Sequence, residues 1–507
     1  MRTPFLGQTY VARSVNAAAN RLVNLYPEAT PENGKDVGFF TRAPGLRQLA
    51  TVGTGPIRGL WTFGGVGYVV SGSQLYKLSS TWNATLIGAV TGTGPVSMSD
   101  NGTQLFVACN PDAFIYNAST GDFGIVTAEG FNGAVNVGYL DGYFVFNEPN
   151  SQRLWVTSLL DGASIDPLDF ASAEGSPDQL VALIIDHREV WLFGSNSVEV
   201  WYNAGTTDFP LARIQGAYNE IGCIAPYSVA KADNSVFWLG ADARGNGIVY
   251  RANGYQGQRI STHAVEWQIQ QYGQLSDAVA FTYQQEGHVF YVLNFPTANS
   301  TWVYDVATGA WHERAYWNYG AFARHRANCQ MNFGGEIVVG DYANNKIYAL
   351  DMYTYSDDGN PQRWLRSWRA LPTGQNNLTR SAHHVLQLDC EAGTGLTGYT
   401  EGDTYELLAE DGSPLLAEDG EPLLGTLAST IGANPKVMLR WSDDGGHTWS
   451  NEHWVETGKI GQYGRRAIWR RLGMTMKLRD RVYEVSGTDP VKLTLLGAEL
   501  RASGTRA

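Results

Sequence analysis

The chain is poor in charge, in cysteine and in long apolar runs. Of its 507 residues only 17% are charged, whereas 58 are Gly, 26 Tyr and 16 Trp. So little charge leaves few residues for the wet faces of surface helices. The Gly and aromatic surplus suits short strands joined by tight turns, so the composition predicts an all-β fold. The length suggests about three folding units. Cys109, Cys223, Cys329 and Cys390 stand far apart, without the close pairs of zinc sites or the density of secreted scaffolds, and are read as free thiols in a reducing cytoplasm. No apolar run approaches the roughly 20 residues of a bilayer span; the longest are strand-length, as at residues 181–185. The opening residues hold a single basic side chain and no apolar run, so neither a secretory signal nor a transit peptide is expected.

Catalytic motifs are missing as well. No P-loop, G-x-S-x-G or H-E-x-x-H occurs. His383 and His384 are neighbours in an expected strand, so their rings point to opposite faces and cannot chelate one metal. His312, Glu313 and His325 lack the close partners of a metal site. No cofactor, metal or enzymatic activity is expected. The net charge of −13 argues against nucleic acid as a tightly held ligand, because phosphate binding relies on clustered Lys and Arg. It remains compatible with DNA in passage, which an acidic wall does not grip.

What is present is a repeat. Between about residues 56 and 355 an alternating apolar strand, a polar turn and a second strand ending in an aromatic recur seven times. The closing aromatics are Tyr76, Tyr116, Trp155, Tyr202, Tyr250, Tyr304 and Tyr348, spaced 40, 39, 47, 48, 54 and 44 residues apart. A four-stranded blade cannot bury both faces alone, and stacking blades around an axis solves that. The period predicts a β-propeller of six or seven blades over 56–358. The competing reading, one or two β-sandwiches, does not predict such a period.

The ends lack the repeat. Residues 1–55 contain Arg13-Ser-Val-Asn16, Asn24-Leu-Tyr26-Pro27-Glu28 and Thr41-Arg-Ala-Pro-Gly-Leu46, whose X-Pro steps enforce extended backbone. This segment is expected to run along a neighbouring element. Residues 359–507 are read as a second, sandwich-like β platform domain joined by the N-terminal segment. An acidic hairpin insertion is placed around 400–430, because residues 381–435 hold ten acidic residues and no Lys or Arg. Within it, Leu407-Leu-Ala-Glu-Asp-Gly412 is repeated as Leu415-Leu-Ala-Glu-Asp-Gly420, and Asp-Gly fits a tight turn. Further on, Arg465, Arg466, Arg470, Arg471, Lys477, Arg479 and Arg481 face one acidic neighbour, Asp480. Such blocks are either solvated faces, or two halves of a contact, with Asp411, Glu418 and Asp419 of one subunit meeting Arg465, Arg466, Arg470 and Arg471 of the next, or one of them faces a channel.

Ser442, Asp444, Gly446, Thr448 and Trp449 fit the Asp-box pattern familiar from sialidase propellers. That pattern holds a turn rather than a substrate: the carboxylate accepts backbone N–H groups, Gly supplies the positive φ and Trp packs beneath. A glycosidase would need paired carboxylates besides. A carbohydrate-binding or receptor-recognition propeller is the alternative function.

The stretch from Arg13 and Asn16 through Asn24-Leu-Tyr26-Pro27-Glu28 resembles the opening of tail nozzle proteins of short-tailed phages, also called packaged-DNA stabilisation proteins. Trp469-Arg-Arg-Leu-Gly473, 479–486 and Asp489-Pro-Val-Lys492 resemble the same family's closing strands. The resemblance implies a structural virion protein of the phage tail, made in the host cytoplasm, with six copies expected below the portal and adaptor ring. These would extend the channel, retain the packaged genome and release it on infection. Tail needle, plug or fibre proteins are possible neighbours, and contact with DNA is transient. Arg13, Asn16, Asn24, Tyr26 and Pro27 are accordingly expected at a subunit or adaptor interface.

Overall fold

The computed structural model describes the chain except residues 16, 32–33, 174, 207, 244, 373–379, 397–403, 411, 418–419, 427–430, 476–480 and 505–507. The chain divides into two compact units. One gathers residues 1–7, 15–43 and 361–507; the other comprises 8–14 and 44–360.

In the second unit, six four-stranded antiparallel meanders follow one another, spanning 57–89, 97–125, 137–172, 180–219, 222–259 and 279–313. A seventh sheet takes three strands from 327–351 and its fourth, Gly45–Thr51, from the start of the unit. Each sheet packs on the next and the seventh packs on the first, closing a ring. This is the propeller. The seven closing aromatics all fall on the third strand of their sheet, so the repeat corresponds to the second and third strands of each blade. Cores lie between adjacent blades: Leu75, Val107 and Tyr116 between the first two, and Ile57, Val69, Val338 and Ile347 between the last and the first.

Gly45–Thr51 lies within the segment that sequence reading assigned wholly to the platform. It pairs antiparallel with Lys346–Asp351, buries Leu46 and so satisfies the edge that the last sheet would otherwise expose. A Cβ on Gly45 would sit 2.2 Å from the Thr354 carbonyl oxygen, so only glycine fits there.

The other unit is a sandwich of two five-stranded sheets. One runs Leu25–Ala29, Gly38–Arg42, Thr494–Gly504, Ser381–Cys390 and Ala467–Arg470; the other contains Ala19–Val23, Trp364–Arg369, Val482–Gly487, Lys436–Ser442 and His453–Glu456. Between them lie Phe5, Leu22, Leu25, Trp368, Leu439 and Tyr483. The N-terminal segment thus contributes strands to both layers. Asn24, at φ 53, turns the chain from one layer into the other, and its amide donates to the Arg363 carbonyl at 2.8 Å. Left-handed backbone is one that Asn tolerates better than most residues.

Arg366 is buried between the Phe5 and Phe40 rings, with Nε donating to the Phe5 carbonyl and neither Nη atom bonded within the described residues. Burial pushes its pKa down to about 9. Replacing an unpaired buried charge by an apolar side chain of similar length relieves desolvation. Arg366→Met is therefore expected to leave the sandwich as stable or raise it by about 1–4 kcal/mol, read from the denaturant midpoint.

Candidate functional surfaces

The Asp-box turn links Lys436–Ser442 to the chain returning toward His453–Glu456. Asp444 Oδ1 accepts from the His447 and Thr448 N–H groups at 2.9 Å, and Oδ2 accepts the Thr448 hydroxyl at 2.6 Å. The Ser442 hydroxyl donates to Asp444 Oδ1 at 2.6 Å and receives the Gly446 N–H. Gly446 has φ 109, and Trp449 carries the Arg440 guanidinium over its ring at 4.7 Å. The hydroxyls of Ser442 and Thr448 hold the Asp444 carboxyl far below the usual carboxylate range. Both carboxylate oxygens are occupied by their own turn.

The basic block separates into two kinds of residue. Arg465, Arg466, Arg470 and Arg471 are exposed. Arg481 is the opposite: 2% exposed, it forks onto both oxygens of Asp443 at 2.7 and 2.9 Å and donates to the Leu472 and Met474 carbonyls. It belongs to the core: it directly precedes the wholly buried strand Val482–Gly487, where the Asp443 carboxylate and two carbonyls take up its donors. Lys477, Arg479 and Asp480 lie outside the described residues, as do Asn16, Asp411, Glu418 and Asp419.

The N-terminal candidates are likewise divided. Arg13 is exposed and stacks over Trp267 at 4.7 Å, a residue of the helix His263–Gln270. Asn24 and Tyr26 are 1% and 2% exposed, a correction to their assignment as interface residues: the sheet switch at Asn24 takes both into the sandwich interior. Pro27 is half-buried opposite Phe40. Sequence reading gave no role to Arg42, which is 1% exposed. Its guanidinium donates to the carbonyls of Asp489, Val491 and Gln362 at 2.6, 3.0 and 2.6 Å, stapling three distant segments of one unit.

The fifth blade sends a loop beyond its immediate neighbour. The first strand of the fifth blade is interrupted between Gly222–Cys223 and Ala230–Ala232. The intervening 224–229 reaches past the fourth blade: Asn136, at the start of the third, donates to the Pro226 carbonyl at 3.3 Å. On the far side Ala280 donates to the Tyr227 carbonyl. Nothing in the interrupted strand's composition distinguishes it from an ordinary turn, so this excursion had no sequence signal.

His383 and His384 alternate as strand neighbours do. His384 is exposed, whereas His383 is buried with Nδ1 2.7 Å from the Tyr483 hydroxyl and Nε2 3.0 Å from that of Ser381. Burial, aided by Arg481, lowers its pKa to about 4. The folded state keeps it neutral while the unfolded chain protonates near 6.5, so its stability contribution is full above pH 6.5 and lost as pH falls towards 4. The sandwich is expected to lose about 2 kcal/mol over that window, and His383→Gln to remove that part of the dependence, as read from denaturant midpoints at pH 7.5 and 5. Among the described residues no group of three or more His, Cys, Asp or Glu is placed to hold a metal, and no helix is long and apolar enough to cross a membrane. The four cysteines are free.

Comparison with known proteins matches both units. The family model described as Bacteriophage P22 Gp10, beta-propeller, covers residues 1–355, and that described as Bacteriophage P22 Gp10, beta-sandwich, covers 415–503. No curated protein matches. Among solved structures, the computationally designed Ika8 protein is 13% identical over 60% of this chain and 99% of its own, with a TM-score of 0.35. A chain of the mitotic checkpoint complex is 12% identical over 64% and 97%, with a TM-score of 0.40. The extracellular domain of the hybrid two-component system BT4673 from B. thetaiotaomicron is 10% identical over 87% and 58%, with a TM-score of 0.42. Likeness this low carries no argument. The family match covers well over half the chain and both of its units: this protein belongs to the bacteriophage P22 Gp10 family, structural proteins of the phage virion tail.

Proposed function

We propose that the protein is the tail nozzle of a short-tailed phage. Several copies, six on the family resemblance, extend the DNA channel below the portal and adaptor ring, retain the packaged genome and let it pass on infection. The observation that carries this reading is that both the propeller and the sandwich match the one Gp10 architecture. The sandwich, including the N-terminal strands, serves as the platform meeting the adaptor ring. In this reading the conduit is formed between copies rather than through any one propeller. The net charge of −13 suits a wall along which DNA slides. Needle, plug or fibre proteins would dock below.

Retention is tested by packaging phage heads in a host that cannot make this chain. Their DNA is expected to become nuclease-accessible within hours and to be protected again when purified chain is added. Stable protection without the chain would contradict the retention role.

A further inference from the structure

The repeated Leu-Leu-Ala-Glu-Asp-Gly segment folds into a closed module. Leu408 bridges Pro414 in the first hairpin and Leu416 bridges Pro422 in the second, while Thr404–Glu406 pairs with Leu424–Thr426 as the third. These pairs recur every eight residues. The N–H of Leu415 donates to the Leu407 carbonyl, that of Leu423 to Leu415, and that of Leu407 to Leu423, at 2.7, 2.7 and 2.9 Å. The three hairpins thus surround a pseudo-threefold axis, with the turns made by Gly412 and Gly420 at φ 82 and 86. A circuit satisfied in this way holds its shape without a large core.

What it leaves outside is apolar. Leu408, Leu415, Leu416 and Leu423 are 58, 42, 56 and 42% exposed, next to Glu410 and Glu421. The same sandwich unit carries a second apolar surface of opposite charge. Leu396 donates its N–H to the Gly432 carbonyl beside Ile431, and Gly393 and Gly395 lie against the loop that holds Ile460 and Tyr463. Ile431, Ile460 and Tyr463 are 65, 57 and 78% exposed, and Lys459, Arg465 and Arg466 are exposed in the same loop, Arg465 also donating to Glu456 at 3.0 Å. Exposed apolar groups clustered with charge mark contact surfaces, and opposite signs steer the two together.

We infer that the three-hairpin module of one copy docks on the Ile460–Tyr463 surface of a second copy. Leucines bury against Ile460 and Tyr463, and the acidic rim meets Lys459, Arg465 and Arg466. This rests on the nozzle reading only in that a nozzle supplies several copies side by side.

The test mixes two differently tagged full-length chains in solution, one Leu416→Cys and one Tyr463→Cys, under mild oxidation. A mixed disulfide dimer is expected. It should fall roughly tenfold with Arg465→Glu plus Arg466→Glu, and return when the partner carries Glu410→Arg plus Glu421→Arg, since reversed rim charges cost contacts and restored pairs recover them. A yield no higher than that of a control pair with Tyr202→Cys, or charge reversal without effect, would overturn the docking. Either result leaves the nozzle reading standing, because that is judged by the protein's place in the virion.

Discussion

Arg42→Met is expected to cost the sandwich about 4 kcal/mol, because it strips partners from three buried carbonyls at once. Those carbonyls belong to Gln362, Asp489 and Val491, from the first strand after the propeller and the chain leading to the last. Gln362 Oε1 also receives Nε at 3.3 Å. These oriented carbonyls are ones that a planar fork of donors can reach together and an ammonium cannot. Arg42→Lys is therefore expected to recover only part of the loss. Urea titration followed by Trp fluorescence reads both, and a loss under about 1 kcal/mol for Met would show that the staple is idle.

Gly45→Val is expected to unlatch the propeller. A side chain there meets the Thr354 and Ser356 carbonyl oxygens at 2.2 and 2.5 Å, and backbone cannot yield as a flexible side chain does. The strand would then part from Lys346–Asp351, leaving a three-stranded sheet with an unpaired edge and exposing Leu46. Edges of this kind recruit other chains. The expected result is a cooperative thermal transition lowered by well over 10 °C, or lost to aggregation, given that each kcal/mol moves a large domain by about 2–4 °C. Gly124→Ala, where an added Cβ meets nothing within 4 Å, is the control and should leave the transition in place.

Both sites show which parts of the fold the sequence makes legible. The propeller is readable because an aromatic recurs on the third strand of each blade, and most of these fill a gap between sheets, as Tyr116 does near Tyr68 of the neighbouring blade; in the fourth blade Tyr202 is 43% exposed and its neighbour Trp201 takes the inward place. The Asp-box is readable because its turn is local: Asp444 meets only residues within four positions. The closing strand is not, since Gly45–Thr51 acquires its identity from a partner about 300 residues away. Arg481 follows the exposed Arg465, Arg466, Arg470 and Arg471 in the same basic block and differs from them through Asp443 and the Leu472 and Met474 carbonyls. Asn24 and Tyr26 lie in a motif whose meaning is internal, a switch between two layers, and reading it as an interface mistook a folding constraint for a contact. The tandem repeat was visible, but its closure into three hairpins depends on Thr404–Glu406, which shares no repeat sequence with the others.

The central claim is that copies of this chain surround the DNA path in the tail. Cryo-electron microscopy of intact virions tests it most directly. The account predicts a ring of sandwich units against the adaptor and a channel between copies rather than through any propeller. Copies attached at the periphery of the tail, away from the DNA, would contradict it.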